Sequence, residues 1–318
     1  MTQINLTTND GRPTPFAVRR LSRSASLRGL TSSIVSLFAW TPSSYLILSL
    51  FAATLFVIGV VWWPLVEANA LLFDWSQPLW PQIWLYMDWL LLGVFAVMSL
   101  LIMAGADIKA DALIVFVGFV GGLVIESWGT QTHLWTYFTL ERPPLWIIPA
   151  WPIASLSIDR LYRFLNRATP AGHASRFTVA YWLIFPIFYA LMLSFVAPTF
   201  DKSLTLAALL LCAFLILTPT DHRAAVLTFV AGSGLGYFLE LWGTTRQCWT
   251  YYTLETPPLF AVLAHGMAAV AFWRAGLVIS VFQTALARRL AFSENTKRGE
   301  GAGRARRQSM AETQEAQL

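Results

Sequence analysis

Charge is what this sequence has least of. Of its 318 residues only 12% are Asp, Glu, Lys or Arg, while 56% are hydrophobic. A soluble domain carries about 25% charged residues. The shortage excludes an ordinary water-soluble globule and predicts a membrane protein. Cysteine is nearly missing too. Cys212 lies in an apolar run and Cys248 in a polar loop, so there is no disulfide framework. The four histidines (His133, His173, His222 and His265) are scattered without metal-ligand spacing. Neither a metal nor a cofactor is expected. There is no glycine-rich phosphate loop and no Gly-x-Ser-x-Gly elbow. The net charge of +5 gathers at the two ends and in one loop. That pattern predicts membrane orientation rather than nucleic-acid binding. No secretory signal peptide is read, because residues 1–40 are polar and basic and the first apolar stretch runs on for a full span.

What the chain has instead is long apolar runs. They predict an all-α, polytopic membrane protein of about eight transmembrane helices. The spans fall near 45–66, 83–105, 111–128, 144–164, 177–198, 203–219, 224–242 and 257–284. Each is long enough to cross about 30 Å of hydrocarbon as a helix. Residues 1–43 read as a polar, basic leader and 291–318 as a disordered tail. Lysine and arginine collect in the leader, the loops at 106–111, 160–176 and 220–223, and the tail. These segments share one side when there are eight spans. Both termini are therefore expected in the cytoplasm, with the chain in a bacterial-type inner membrane.

One stretch occurs twice. Glu126 opens Glu-Ser-Trp-Gly-Thr, continues through Trp135-Thr136-Tyr137 and Thr139-Leu140-Glu141, and ends at Pro143-Pro144-Leu145. Its copy begins at Glu240, and 240 − 126 = 114 at every position without a gap. Of the twenty positions 126–145, thirteen are identical in the copy. The duplication extends outward, with Asp107 matching Asp221, Gly118 matching Gly232, Gly122 matching Gly236 and Arg160 matching Arg274. It divides the membrane region into tandem four-helix units, 44–165 and 166–290. Four helices return the chain to its starting side. The copies are therefore expected to insert the same way up, about an axis along the membrane normal.

The duplicated stretch carries chemistry. Gly118, Gly122 and Glu126 are spaced by four and share a helix face, as do Gly232, Gly236 and Glu240. Glycine on a face admits a second helix or a flat ligand to the backbone. A carboxyl in a membrane is expensive, and this one is kept in both copies. Glu126 and Glu240 are therefore the candidate catalytic acid and base. Trp128, Trp135, Tyr137, Trp242, Trp249 and Tyr251 offer π faces able to hold a cation. With Gly122 and Gly236 they form the candidate substrate-binding set. Asp88 is a further candidate for the site, His265 (aligned with Trp151) a possible proton relay or a satisfied core histidine, and Asp107 and Asp221 read as helix N-caps. Arg160 and Arg274 are expected to snorkel to headgroups. Glu141 and Glu255 adjoin loops.

The pattern Glu-x-x-Gly-Thr-x-x-x-x-Trp-x-Tyr, followed by Pro-Pro-Leu and an apolar helix, resembles the membrane-embedded carotenoid-modifying proteins. These are the carotenoid hydratases of the bisanhydrobacterioruberin type and, more loosely, the small integral-membrane lycopene cyclases. The resemblance covers Glu126–Trp151 and Glu240–His265. It implies a lyase or isomerase that hydrates, isomerises or cyclises an isoprenoid by protonating it, with a lipid-like small molecule and membrane lipids as partners. Two other readings stand beside it. A proton-coupled transporter would show flux that depends on a pH gradient. A non-catalytic membrane subunit would hold a protein partner through its outer aromatic loops.

Overall fold

A computed structural model describes residues 39–170 and 174–315. The leader expected over 1–43 lies almost wholly outside the described residues, as does His173. The chain runs α1 (Pro42–Val61), α2 (Trp63–Ala70), α3 (Leu79–Tyr86), α4 (Trp89–Met103), α5 (Ile108–Gln131) and β1 (Trp135–Tyr137). It continues through α6 (Ala150–Ala168), α7 (Ala174–Val196), a 3-10 turn (Ala197–Thr199), α8 (Ser203–Leu217), α9 (His222–Thr245), β2 (Trp249–Tyr251) and α10 (Leu259–Glu315).

Five helical stretches are long and apolar enough to cross a membrane: α1, α5, α9, Ser175–Thr199 and Leu259–Leu286. The chain is a helical membrane protein. A sixth candidate appears if α3 and α4 are taken as one span, bent by 81° between them. Asp88 explains the break. It N-caps α4, its carboxylate accepting the Leu91 N–H at 3.1 Å. α8 is apolar but has 15 residues, which reach about 22 Å at 1.5 Å per residue, short of about 30 Å.

The span expected over 144–164 is replaced by α6, which starts later, at Ala150, and carries Asp159, Arg160, Arg163 and Arg167. It tolerates these charges because protein surrounds it. It packs on α4, α5 and α9. Arg160 is 5% exposed. Its Nη2 donates to Asp111 Oδ2 of α5 at 2.7 Å, and its Nη1 donates to Asp159. Arg163 holds the same Asp159 oxygen at 2.9 Å. Arg160 therefore does not snorkel. A buried charge without a partner is costly, and α5 supplies the partner.

α9 is the most enclosed of the spanning helices. In its most apolar window 61% of residues are buried, against 11% in α1. Small residues make this possible. A Cβ on Gly232 would stand 2.9 Å from the Gly266 Cα, so α9 and α10 cross almost backbone to backbone. Val94, Met98, Ala154, Ile158, Ala231, Leu235 and Ala269 join α4, α6, α9 and the start of α10 in one apolar core. Phe56, Phe116, Val124, Leu210 and Phe214 are exposed on the outer helices, as lipid-facing residues are.

Local structure recurs at the 114-residue offset. α5 and α9 have 24 residues each, and Asp107 and Asp221 cap them by accepting first-turn N–H groups. Each ends on a residue in the left-handed region, His133 (φ 61°) and Gln247 (φ 55°). The following N–H then returns to a helical carbonyl, Leu134 to Gly129 at 3.0 Å and Cys248 to Gly243 at 2.8 Å. That closure favours glycine at the left-handed position. Leu140 and Leu254 are also left-handed, and Arg142–Pro143 and Thr256–Pro257 are both cis. Gln247 is exposed, so Gln247→Gly is expected to stabilise the protein by about 1 kcal/mol. Thermal melting in detergent checks it. An unchanged or lower midpoint would show that the side chain contributes something the backbone argument omits.

The described residues form two compact units, divided after Val270. In the second, the tail expected to be disordered over 291–318 is helical as far as Glu315. The stretch has no proline and is rich in Ala, Arg, Glu and Gln, all good helix formers.

Candidate functional site

Glu126 and Glu240 lie near the C-terminal ends of α5 and α9, and each is 4% exposed. Thr130 and Thr244, one turn on, donate to the glutamates' own carbonyls at 2.6 Å. The helix then closes, the chain reverses, and a short strand brings a tryptophan back over the last turn. A glycine makes room for it. A Cβ on Gly129 would stand 1.9 Å from the Trp135 ring, and one on Gly243 would stand 2.0 Å from the Trp249 ring. Trp135 Nε1 donates to Glu126 Oε2 at 3.0 Å, and Trp249 Nε1 donates to Glu240 Oε2 at 2.9 Å.

The next helix closes each cage. Trp151, in the first turn of α6, donates from Nε1 to Glu126 Oε1 at 3.1 Å. His265, at the matching position of α10, places Nε2 at 2.9 Å from Glu240 Oε1. The Tyr251 hydroxyl donates to that same oxygen at 2.8 Å. The faces read as ligand floors are covered by these rings. A Cβ on Gly122 would stand 2.3 Å from Trp151, and one on Gly236 would stand 2.5 Å from His265.

The two cages adjoin. β1 pairs with β2 antiparallel, Trp135 opposite Tyr251, Thr136 opposite Thr250 and Tyr137 opposite Trp249. The ribbon extends symmetrically, with the Phe138 N–H donating to the Cys248 carbonyl and the Tyr252 N–H to the Leu134 carbonyl, both at 3.1 Å. Across it the Trp135 and Tyr251 rings lie 5.8 Å apart, as do those of Tyr137 and Trp249. Beneath it Trp151 and His265 stack, centroids 5.6 Å apart and planes at 29°. Each carboxyl thus has its own cage, and the cages share walls.

The remaining predicted residues fall into two groups. Trp128 and Trp242 face away from the carboxyls toward the opposite copy. Trp128 Nε1 donates to Thr205 of α8 at 3.1 Å, and Trp242 Nε1 donates to Asp88 at 2.8 Å, where Arg246 also donates at 2.9 Å. Asp88 therefore ties α9 to α4 rather than joining the glutamates. Glu141 accepts from Trp62 and Thr139 at 3.3 Å, and Glu255 is exposed. Arg274 belongs to the second unit.

No family model matches the chain, and neither a curated protein nor a solved structure matches it. What the cages can do follows from their own chemistry. Burial and then the adjacent Glu240 push the Tyr251 phenol well above its usual range, so its O–H remains a donor. Burial and Glu126 do the same to Tyr137. Burial also pushes the Cys248 thiol up to about 11, which keeps it protonated and inert near neutral pH. Among the described residues no group of His, Cys, Asp or Glu is placed to hold a metal ion.

Sequence reasoning did not assign Trp151 a role at the carboxyl, nor settle on one for His265. The signal was present, since 126 + 25 = 151 and 240 + 25 = 265. The two residues occupy one position of the duplication and differ in type, which hides the pairing.

Proposed function

We propose that this chain is an integral-membrane enzyme acting on an isoprenoid-like lipid, such as a carotenoid, by acid–base chemistry at Glu126 and Glu240. The observation that carries the proposal is Glu240, buried in an apolar helix end with Tyr251 and His265 both within 3 Å of one carboxyl oxygen. A carboxyl there can protonate an alkene. The π pair forms the new C–H bond, and a carbocation is left beside it. Loss of a proton from a neighbouring carbon, or addition of water followed by loss of a proton, returns that proton to the carboxylate. Trp135, Tyr137, Trp249 and Tyr251 supply π faces that favour the cation over the neutral lipid.

The proposal includes eight membrane helices in tandem units, α1–α4–α5–α6 and α7–α8–α9–α10, with both termini cytoplasmic. Its support is the ribbon at the join. The residues of β1 and β2 pair symmetrically about Thr136 and Thr250, which occupy the same position of the repeat. Equivalent strands that pair antiparallel are related by a twofold axis perpendicular to their ribbon.

A second reading has its own observation. All four carboxyl oxygens already engage ring donors of the same chain, which suits a clamp between the outer loops of a non-catalytic membrane subunit. Mass comparison of lipids and pigments from cells with and without the protein separates the two. The enzyme gives a product shifted by one water or an isomer of its precursor. Glu240→Gln is then expected to reduce that product about 10²–10⁴-fold while the protein remains in the membrane. Unchanged product in both Glu126→Gln and Glu240→Gln would sink the catalytic reading.

A further inference from the structure

The two cages are built from one duplicated plan, yet they are chemically unequal. Glu126 is held by Trp135 and Trp151, with the Tyr137 hydroxyl beside it as Tyr251 stands beside Glu240. An indole N–H only donates and does not titrate in the protein's working range. Glu240 is held by Trp249, Tyr251 and His265. Imidazole both donates and accepts, and it exchanges its proton near neutral pH. The whole difference between the cages at that oxygen is position 151 against position 265, tryptophan against histidine.

We propose that the duplicated site is an asymmetric acid–base pair: Glu240 and His265 share the proton that moves, and Glu126 is held fixed by its indoles. This rests on the enzymatic reading above and deepens it.

The electrostatics of a buried site support the division. A carboxyl and an imidazole that hold one proton between them carry no net charge, whether the proton sits on oxygen or nitrogen. Such a pair can reside in an apolar bundle without the desolvation cost of an isolated ion. Moving the proton along the 2.9 Å bond leaves that neutrality intact. Glu126 has no such partner. Its two oxygens meet donors that cannot take a proton from it.

The transfer balances within the pair. The shared proton passes from Glu240 to a substrate carbon, whose π electrons form the C–H bond. The pair is left with one negative charge, facing the carbocation. When the carbocation loses a proton, the carboxylate–imidazole pair takes it back. No other reactant is needed for isomerisation or cyclisation, and hydration consumes one water.

Geometry singles out His265 as well. Its ring covers Gly236 as the Trp151 ring covers Gly122, and the two rings stack. The first copy carries tryptophan at the equivalent place. His265→Trp gives the second copy the first copy's residue and tests the chemistry at that position. His265→Gln is the companion, since an amide keeps a donor to Glu240 but does not titrate.

The experiment has two arms in the full-length protein. In cells supplied with the lipid precursor, His265→Gln and Glu240→Gln are each expected to lose at least 100-fold of the product, and Glu126→Gln to lose less than either. His265→Trp is expected to match His265→Gln at a melting temperature near wild type; if it fails to fold, His265→Gln decides. Product at wild-type level in His265→Gln overturns the proposal, as does equal loss in Glu126→Gln and Glu240→Gln. The second arm needs no activity. Nitrogen-15 NMR of histidine-labelled protein in nanodiscs, with His265 assigned by its loss in His265→Gln, is expected to show an Nε2 resonance displaced by its hydrogen bond with the Glu240 carboxyl. Glu240→Gln moves that resonance and Glu126→Gln does not. A wild-type Nε2 resonance that Glu240→Gln leaves unchanged overturns the proposal. If the wild type makes no product at all, the enzymatic reading fails, and the NMR arm alone decides whether Glu240 and His265 share a proton.

Discussion

Replacing Arg160 with alanine is expected to lower stability by about 3–5 kcal/mol, the usual result of stranding one member of a buried ion pair. Asp111, 2% exposed inside the bundle, would lose the one cation that pairs with its Oδ2 among the described residues. Asp111→Ala strands Arg160 on one side only, because Asp159 still accepts from its other nitrogen. Its cost is expected to be the smaller of the two. The double variant Arg160→Met with Asp111→Leu removes both charges and fills the space with apolar atoms. It is expected to recover most of the loss, since apolar replacement of a buried pair is often neutral. Melting of the three variants in one detergent measures the order. If the double variant is as unstable as Arg160→Ala, the loss comes from packing and not from the unmatched charge.

That ion pair also shows where the sequence stopped being readable. A helix with apolar residues followed by Asp159, Arg160 and Arg163 reads equally well as a span whose end snorkels or as a helix enclosed by others. Only the neighbours decide, and Asp111 is 49 residues away. Periodicity reports that a face is apolar. It does not say which helix covers it. The same limit hid the crosswise ties of Trp128 to Thr205 and Trp242 to Asp88. Each lies between copies, so neither appears in the alignment of one copy with the other. By contrast, features set by local backbone chemistry were legible. Asp107 and Asp221 before apolar runs announced the starts of α5 and α9, and both caps are formed. The bend at Asp88 had the same signal, an aspartate just before an apolar helix. The glutamates and their aromatics stood out because the duplication kept them. What the duplication altered, tryptophan at 151 and histidine at 265, was the part of the site that repetition alone was unable to mark.

Gly129→Ala and Gly243→Ala are expected to be as damaging as the loss of the ion pair. The added methyl would overlap the Trp135 or Trp249 ring at 1.9–2.0 Å, well inside van der Waals contact. The helix backbone at these glycines is fixed by its own hydrogen bonds, so the indole has to move. Moving it stretches the bond from the ring N–H to the glutamate. Two costs then combine: overpacking, about 1–3 kcal/mol, and a buried carboxyl oxygen left unsatisfied, about 1–3 kcal/mol. Together they give about 2–6 kcal/mol. Gly93 and Gly234 provide the contrast. They lie in α4 and α9, and a Cβ at either meets nothing within 4 Å. Alanine at these two positions is expected to be neutral or to stabilise by up to about 1 kcal/mol, because it is the better helix former. The same melting series, with tryptophan fluorescence as a second readout, distinguishes the pairs. Only the first pair is expected to shift the emission, since only there does an indole leave its carboxylate. Equal behaviour of all four variants would mean that the glycines are helix-packing residues alone, and that the indoles reach the two carboxyls without needing the space that glycine leaves.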